Sequence, residues 1–86
     1  MSKEDIKKII LKLSFARGED KTICPSEVAR EIFGDNWRPE MQNVRDAAFD
    51  LAAKNLVIIM QKGKKVDPVD IKGPIRIRIQ SSENND

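Results

Sequence analysis

The segment Ile75-Arg76-Ile77-Arg78-Ile79 allows few alternatives: its strict alternation has the period of a β-strand, isoleucines to one side and arginines to the other. A strand needs a partner for its backbone N–H and C=O groups. Leu56-Val57-Ile58-Ile59-Met60, an apolar run leading into Gln61-Lys62-Gly63-Lys64-Lys65, reads as a second strand entering a turn. The two are expected to pair antiparallel as a β-ribbon, with residues 62–74 forming the wing. The link from Val66 to Pro74 contains two prolines and is too apolar to float free, so Val66, Val69 and Ile71 are expected to pack back.

Upstream the period changes to that of helices. Ser2 is placed to cap a first helix whose buried face is Ile6, Ile9, Ile10 and Leu13. Leu11 and Phe15 fall on its opposite side, which predicts a helix covered on both faces or a contact with a second copy. Gly18 stops it. Thr22-Ile23-Cys24 is short and extended before Pro25, which opens a second helix with Val28, Ala29, Ile32 and Phe33 inward and Gly34 at its end. Cys24 reads either as a small buried hydrophobe or as a thiol activated at a helix N-terminus. A third helix runs from Trp37 to Ala53, capped by Asp35 or Asn36, with Pro39 in its first turn and Asn55 as a left-handed terminator.

Helix, short extended piece, helix, helix, strand, loop, strand is the order of a winged helix: an α+β fold with a three-helix helix-turn-helix core and an antiparallel β-ribbon wing. It predicts one domain over residues 1–80 and a disordered polar tail over 81–86.

Charge is uneven. Residues 1–53 hold nine Lys/Arg against ten Asp/Glu, whereas residues 54–79 hold seven against two. The basic C-terminal third points to a polyanion partner or to lysines that blunt sheet edges. One cysteine and no histidine exclude a disulfide framework and a Cys/His metal site. No cofactor motif, glycine-rich phosphate loop or nucleophile–base set is present, so the chain is expected not to be an enzyme. The absence of a signal-type or spanning apolar run predicts a cytoplasmic protein that does not enter a membrane.

Within the third helix, Met41, Val44, Ala48 and Leu51 form the inner stripe. Gln42, Asn43, Asp46 and Asp50 face outward, and two carboxylates without a cation disfavour insertion into a phosphate-lined groove. Arg38, Arg45 and Phe49 lie on one flank. Arg45 serves either a phosphate or, paired with Asp67 or a helix carboxylate, as a brace for the wing. Trp37 reads as a packing anchor more than a base-stacking platform.

Thr22-Ile23-Cys24-Pro25-Ser26-Glu27-Val28-Ala29-Arg30, Trp37-Arg38, Met41, Val44-Arg45, Gln61-Lys62-Gly63, Val66-Asp67-Pro68 and Gly73-Pro74-Ile75-Arg76 together resemble the family catalogued as domain of unknown function 3253. The resemblance spans about Ile9 to Arg78 and implies a stand-alone winged-helix-type domain without an established activity. Its polar motif positions fall on Cys24, Ser26, Glu27, Arg30, Trp37, Arg38, Arg45, Lys62, Asp67 and Arg76, which implies a shared salt-bridge network or a shared binding surface.

The favoured reading is phosphate contact with double-stranded DNA through Lys62, Lys64, Lys65, Lys72, Arg76 and Arg78 of the wing, with Arg38 and Arg45 beside them. The rival is a protein-interaction or homodimerisation module using Leu11 and Phe15 or the apolar loop. A third reading has Arg38, Arg45 and Arg76 converging on a small anion. Neither a cofactor nor a metal is expected.

Overall fold

The computed structural model describes residues 1–69 and 71–80. Asp70 and the expected polar tail, residues 81–86, lie outside them.

Helix α1 spans Lys3–Arg17. Its start is a reciprocal cap: the Ser2 hydroxyl accepts the Asp5 N–H at 3.2 Å, and the Asp5 carboxylate accepts the Ser2 N–H at 3.3 Å. Ile6 and Ile10 are buried, Ile9, Leu11 and Leu13 are half-buried, and Gly18 (φ 115°) ends the helix. Burial on both sides therefore holds for Leu11 only. Phe15 is 75% exposed, because no element among the described residues covers that side of the last turn.

Helix α2 spans Pro25–Phe33 and begins at the proline, whose missing N–H would have no helical partner there. The Glu27 carboxylate takes the Cys24 N–H at 2.9 Å. Val28 and Ala29 are fully buried.

The third helix departs from expectation at its start. Short 3₁₀ turns occupy Gly34–Asn36 and Arg38–Glu40, and α3 runs only over Met41–Ala53. Neither Asp35 nor Asn36 caps it; the cap position is Glu40, without a side-chain hydrogen bond. Pro39 has no N–H to donate, and the Glu40 N–H reaches only to the Trp37 carbonyl at 3.0 Å, so the chain stays in tighter turns until Met41. The far end is as expected. Asn55 is left-handed (φ 63°), its N–H bonds the Ala52 carbonyl at 2.9 Å, and the Leu56 N–H bonds the Leu51 carbonyl at 3.0 Å.

Strands β1 (Val57–Gln61), β2 (Lys64–Lys65) and β3 (Arg76–Ile79) form one antiparallel sheet in the order β2-β1-β3. The ribbon pairing of β1 with β3 is as read from the sequence. The wing is not a single loop, however: its first residues fold straight back as β2 on the opposite edge of β1. Lys62 (φ 51°) and Gly63 (φ 78°) make the two-residue turn whose twist matches that of the flanking strands. The sheet gains a further partner at Ile23, which exchanges two 2.8 Å backbone hydrogen bonds with Ile77.

Val57 and Ile59 face Ile79 and Ile77 across the β1–β3 pair and meet the helices. With Ile6, Ile10, Ile23, Val28, Val44, Ala47, Ala48 and Leu51 they form one core drawn from every helix and the sheet. Burying each of the valine, leucine and isoleucine side chains contributes about 1.5–3 kcal/mol. Val66 and Ile71 pack against this core, whereas Val69, expected to do the same, is 70% exposed. The result is an α+β fold with the layout of a winged helix.

Candidate functional site

The tight turn at Lys62-Gly63 and the short strand after it place Lys62, Lys64 and Lys65 at one edge of the sheet, and the loop leading to β3 brings Lys72 to the groove that Lys62 and Lys64 line. Lys62, Lys64, Lys65 and Lys72 are all exposed. Successive strand residues point to opposite faces. Lys65 lies opposite Met60, which in turn faces Arg76, so these share the outer face, as do Ile58 and Arg78. Lys64 lies opposite Gln61 and lines a groove of ≈ 700 Å³ together with Lys62 and Lys72. None of these four lysines has a carboxylate within ion-pair distance among the described residues.

The wall of that groove is held from behind. The Arg45 guanidinium donates to the Gly73 carbonyl at 3.0 Å and to the Ile71 carbonyl at 3.3 Å. The Gln61 side-chain amide donates to the Lys72 carbonyl at 2.7 Å and to the Pro74 carbonyl at 3.2 Å. Four successive carbonyls are therefore engaged by one side chain from α3 and one from β1. Arg45 also stacks on Phe49, 5.4 Å from the ring centroid. It braces the wing, but through main-chain carbonyls; the expected pairing with Asp67 or a helix carboxylate is not formed, because the nearer loop backbone offers better-placed acceptors.

The remaining arginines are separated. Arg38 and Arg30 both stack on Trp37, at 4.6 and 4.5 Å from the ring, and the half-buried indole packs against the core as an anchor. Arg76 turns to Thr22, donating to its hydroxyl at 2.8 Å and its carbonyl at 3.3 Å. Arg17 donates to the same carbonyl at 2.9 Å and pairs with Glu27. Arg78 is half-buried, with its Nε enclosed and without a hydrogen-bond partner among the described residues. Arg38, Arg45 and Arg76 thus hold three different places, and the converging-arginine reading has no geometry behind it. Burial raises the Glu27 pKa, but hydrogen bonds from the Cys24 N–H and Arg17 outweigh it and leave the carboxyl below its usual value. The Cys24 thiol lies 3.0 Å from the Ser26 hydroxyl.

The outward face of α3 is self-satisfied. The Gln42 amide donates to Asp46 and the Asn43 amide to Glu40, both at 2.8 Å. Asp50, expected to point outward, instead meets α1: Lys3 lies 2.6 Å and Lys7 3.6 Å from its carboxylate. The hydrogen bond from Lys3 holds the Asp50 carboxyl below its ordinary pKa, and Asp50 raises that of Lys3 in return.

Sequence reasoning did not anticipate the anchoring role of Gln61. A signal was available: Gln61 continues the inward series Val57, Ile59, and a polar residue at an inward position needs a partner. The Arg30 stack left no comparable signal, because α2 and Trp37 meet only in the folded chain.

A family model described as a protein of unknown function, DUF3253, matches residues 3–80, and the chain belongs to that family. No curated protein matches it. Among the described residues, no helix is long and apolar enough to cross a membrane.

Proposed function

We propose that this DUF3253 domain binds double-stranded nucleic acid through its wing, mainly by phosphate contacts. The observation that carries the reading is the cluster of Lys62, Lys64, Lys65 and Lys72, exposed and without carboxylate partners among the described residues. Like charges so placed repel one another and favour a polyanion. Arg38, exposed beside Trp37, adds a contact from the α3 flank, and Arg76 and Arg78 add positive potential on the outer face of the sheet. Arg45 and Gln61 act indirectly, by fixing the loop that carries Lys72. Helix α3 stays out of the DNA groove, since Asp46 on its outer face and Glu40 at its cap position would meet the phosphates.

Four phosphate contacts give a log–log salt slope of about −3.6, so a fourfold rise in salt weakens binding roughly a hundredfold. Fluorescence anisotropy with a labelled duplex at low and physiological salt tests this. Absence of binding below about 100 μM at low salt overturns the reading.

A second reading rests on Phe15, an aromatic residue 75% exposed on α1. There the domain would associate with a protein partner or a second copy. A stable dimer by sedimentation, with no salt-sensitive duplex binding, selects it.

A further inference from the structure

We propose that the groove beside the Lys62-Gly63 turn binds an anionic amphiphile, a small molecule with a carboxylate, sulfonate or phosphate on an apolar or aromatic body. Three features support it together. The first is the lining. Lys62, Lys64, Lys72 and Arg76 line the groove beside the Gln61 amide, whereas Val66 and Pro74 make its apolar part over the nearly buried Ile75. Phosphate contact alone needs the cations and has no use for the apolar surface; the combination matches a ligand that has both parts. Charge complementarity selects an anion, because no carboxylate lines the groove among the described residues.

The second feature is size. A volume of ≈ 700 Å³ falls among the few hundred to a thousand Å³ of small-molecule sites, and it is far more than a bare inorganic anion needs. The third is rigidity. The carbonyls of residues 71–74 are all held by Arg45 and Gln61, so one wall is fixed before a ligand arrives and little ordering is needed on binding. The anion would meet the lysine ammoniums while the body covers Val66 and Pro74. Since the same lysines serve the proposed duplex contact, an occupant would compete with DNA; ligand binding itself does not depend on that contact.

The test is a ¹⁵N-resolved NMR titration of the full chain with three probes: 8-anilinonaphthalene-1-sulfonate, the uncharged N-phenyl-1-naphthylamine, and inorganic phosphate. The sulfonate is expected to bind saturably, at least about tenfold tighter than either control, with amide shifts concentrated in residues 61–66 and 72–76. The combined K62Q, K64Q and K72Q substitutions, all at exposed positions, are expected to weaken it about tenfold or more. Any one of four results overturns the proposal: equal binding of the uncharged probe, equal binding of phosphate, shifts centred on Phe15, or no sulfonate binding up to about 1 mM. No nucleic acid enters this experiment, so a domain that fails to bind DNA can still pass it, and the reverse.

Discussion

The junction of α1 with α3 and the wing both carry lysines, but use them in opposite ways. At the junction Lys3 and Lys7 converge on Asp50, and Lys7, only 8% exposed, also reaches Glu4 at 3.1 Å. At the wing Lys62, Lys64, Lys65 and Lys72 stand exposed with no carboxylate beside them among the described residues. A charge drawn out of water needs a partner, and the junction supplies one. Exposed like charges repel and make the compact state less stable. A carboxylate within reach thus marks the lysines that hold the fold together, the half-exposed Lys3 as well as the buried Lys7, and its lack marks those available to another molecule.

The widest gap between the two regions should appear under paired substitutions. Replacing Lys62, Lys64, Lys65 and Lys72 by glutamine is expected to lower duplex affinity about a hundredfold at low salt and to remove most of the salt slope. The Tm should stay within about 2 °C, as expected of surface changes. Asp50→Asn should do the reverse, lowering the Tm and leaving affinity unchanged in the same anisotropy assay. If both variants move both readouts, the division is wrong.

Arg45→Met sharpens the boundary, because Arg45 belongs to α3 but acts on the wing. It removes two hydrogen bonds to carbonyls and keeps much of the aliphatic stem. Discounted for partial exposure, the loss is about 1 kcal/mol, or roughly 4–8 °C for a domain of this size. Amide hydrogen exchange should accelerate around residues 71–74 more than in α1.

Acid provides a gentler probe of the junction. The folded pKa of Asp50 lies below its usual value of 3.8, foremost through the Lys3 hydrogen bond. Its stabilising contribution is therefore complete above that value and is lost as pH falls through the lower folded pKa. The stability gap between wild type and Asp50→Asn, measured by urea unfolding, should be present at pH 7 and shrink below pH 3.8. A gap that grew on acidification would contradict the assigned pairing. The smallest effects belong to the Trp37 stack: Arg30→Ala and Arg38→Ala should each cost about 0.5–1 kcal/mol in thermal or chemical unfolding. Only Arg38→Ala should also weaken the duplex.

Local patterns in the chain were enough to reveal most of the architecture. Ser2 with Asp5, Pro25, Asn55 and the Ile75–Ile79 alternation each determine backbone within a few residues, and each was legible in the sequence. The start of α3 was not. Pro39 is compatible both with an α-helical first turn and with a 3₁₀ turn, and the choice depends on how Trp37 seats on the core. β2 was hidden in Lys64–Lys65, which carries no hydrophobic pattern; its strand state comes from the preceding turn and from pairing with β1. At the site, sequence identified the basic residues but could not sort them. Lys62, Lys64 and Lys72 come together at the groove, while Arg38 and Arg45 are drawn away by Trp37 and by the Ile71 and Gly73 carbonyls, and Arg76, which also lines the groove, has its guanidinium tied to Thr22. Those partners are distant in sequence for Arg45 and Arg76, and side-chain geometry alone decides the outcome.

The pairing of Ile23 with Ile77 makes this a domain that cannot finish folding early. Ile23 follows the first helix, and its partner Ile77 comes only with the final strand of the sheet, so closure of a long loop precedes those two hydrogen bonds. On a ribosome the helices can collapse while Ile23 and the β1 edge wait for β3. Until residue 77 has emerged, the nascent chain presents an unpaired strand edge beside apolar surface, the state most exposed to mispairing with a neighbour.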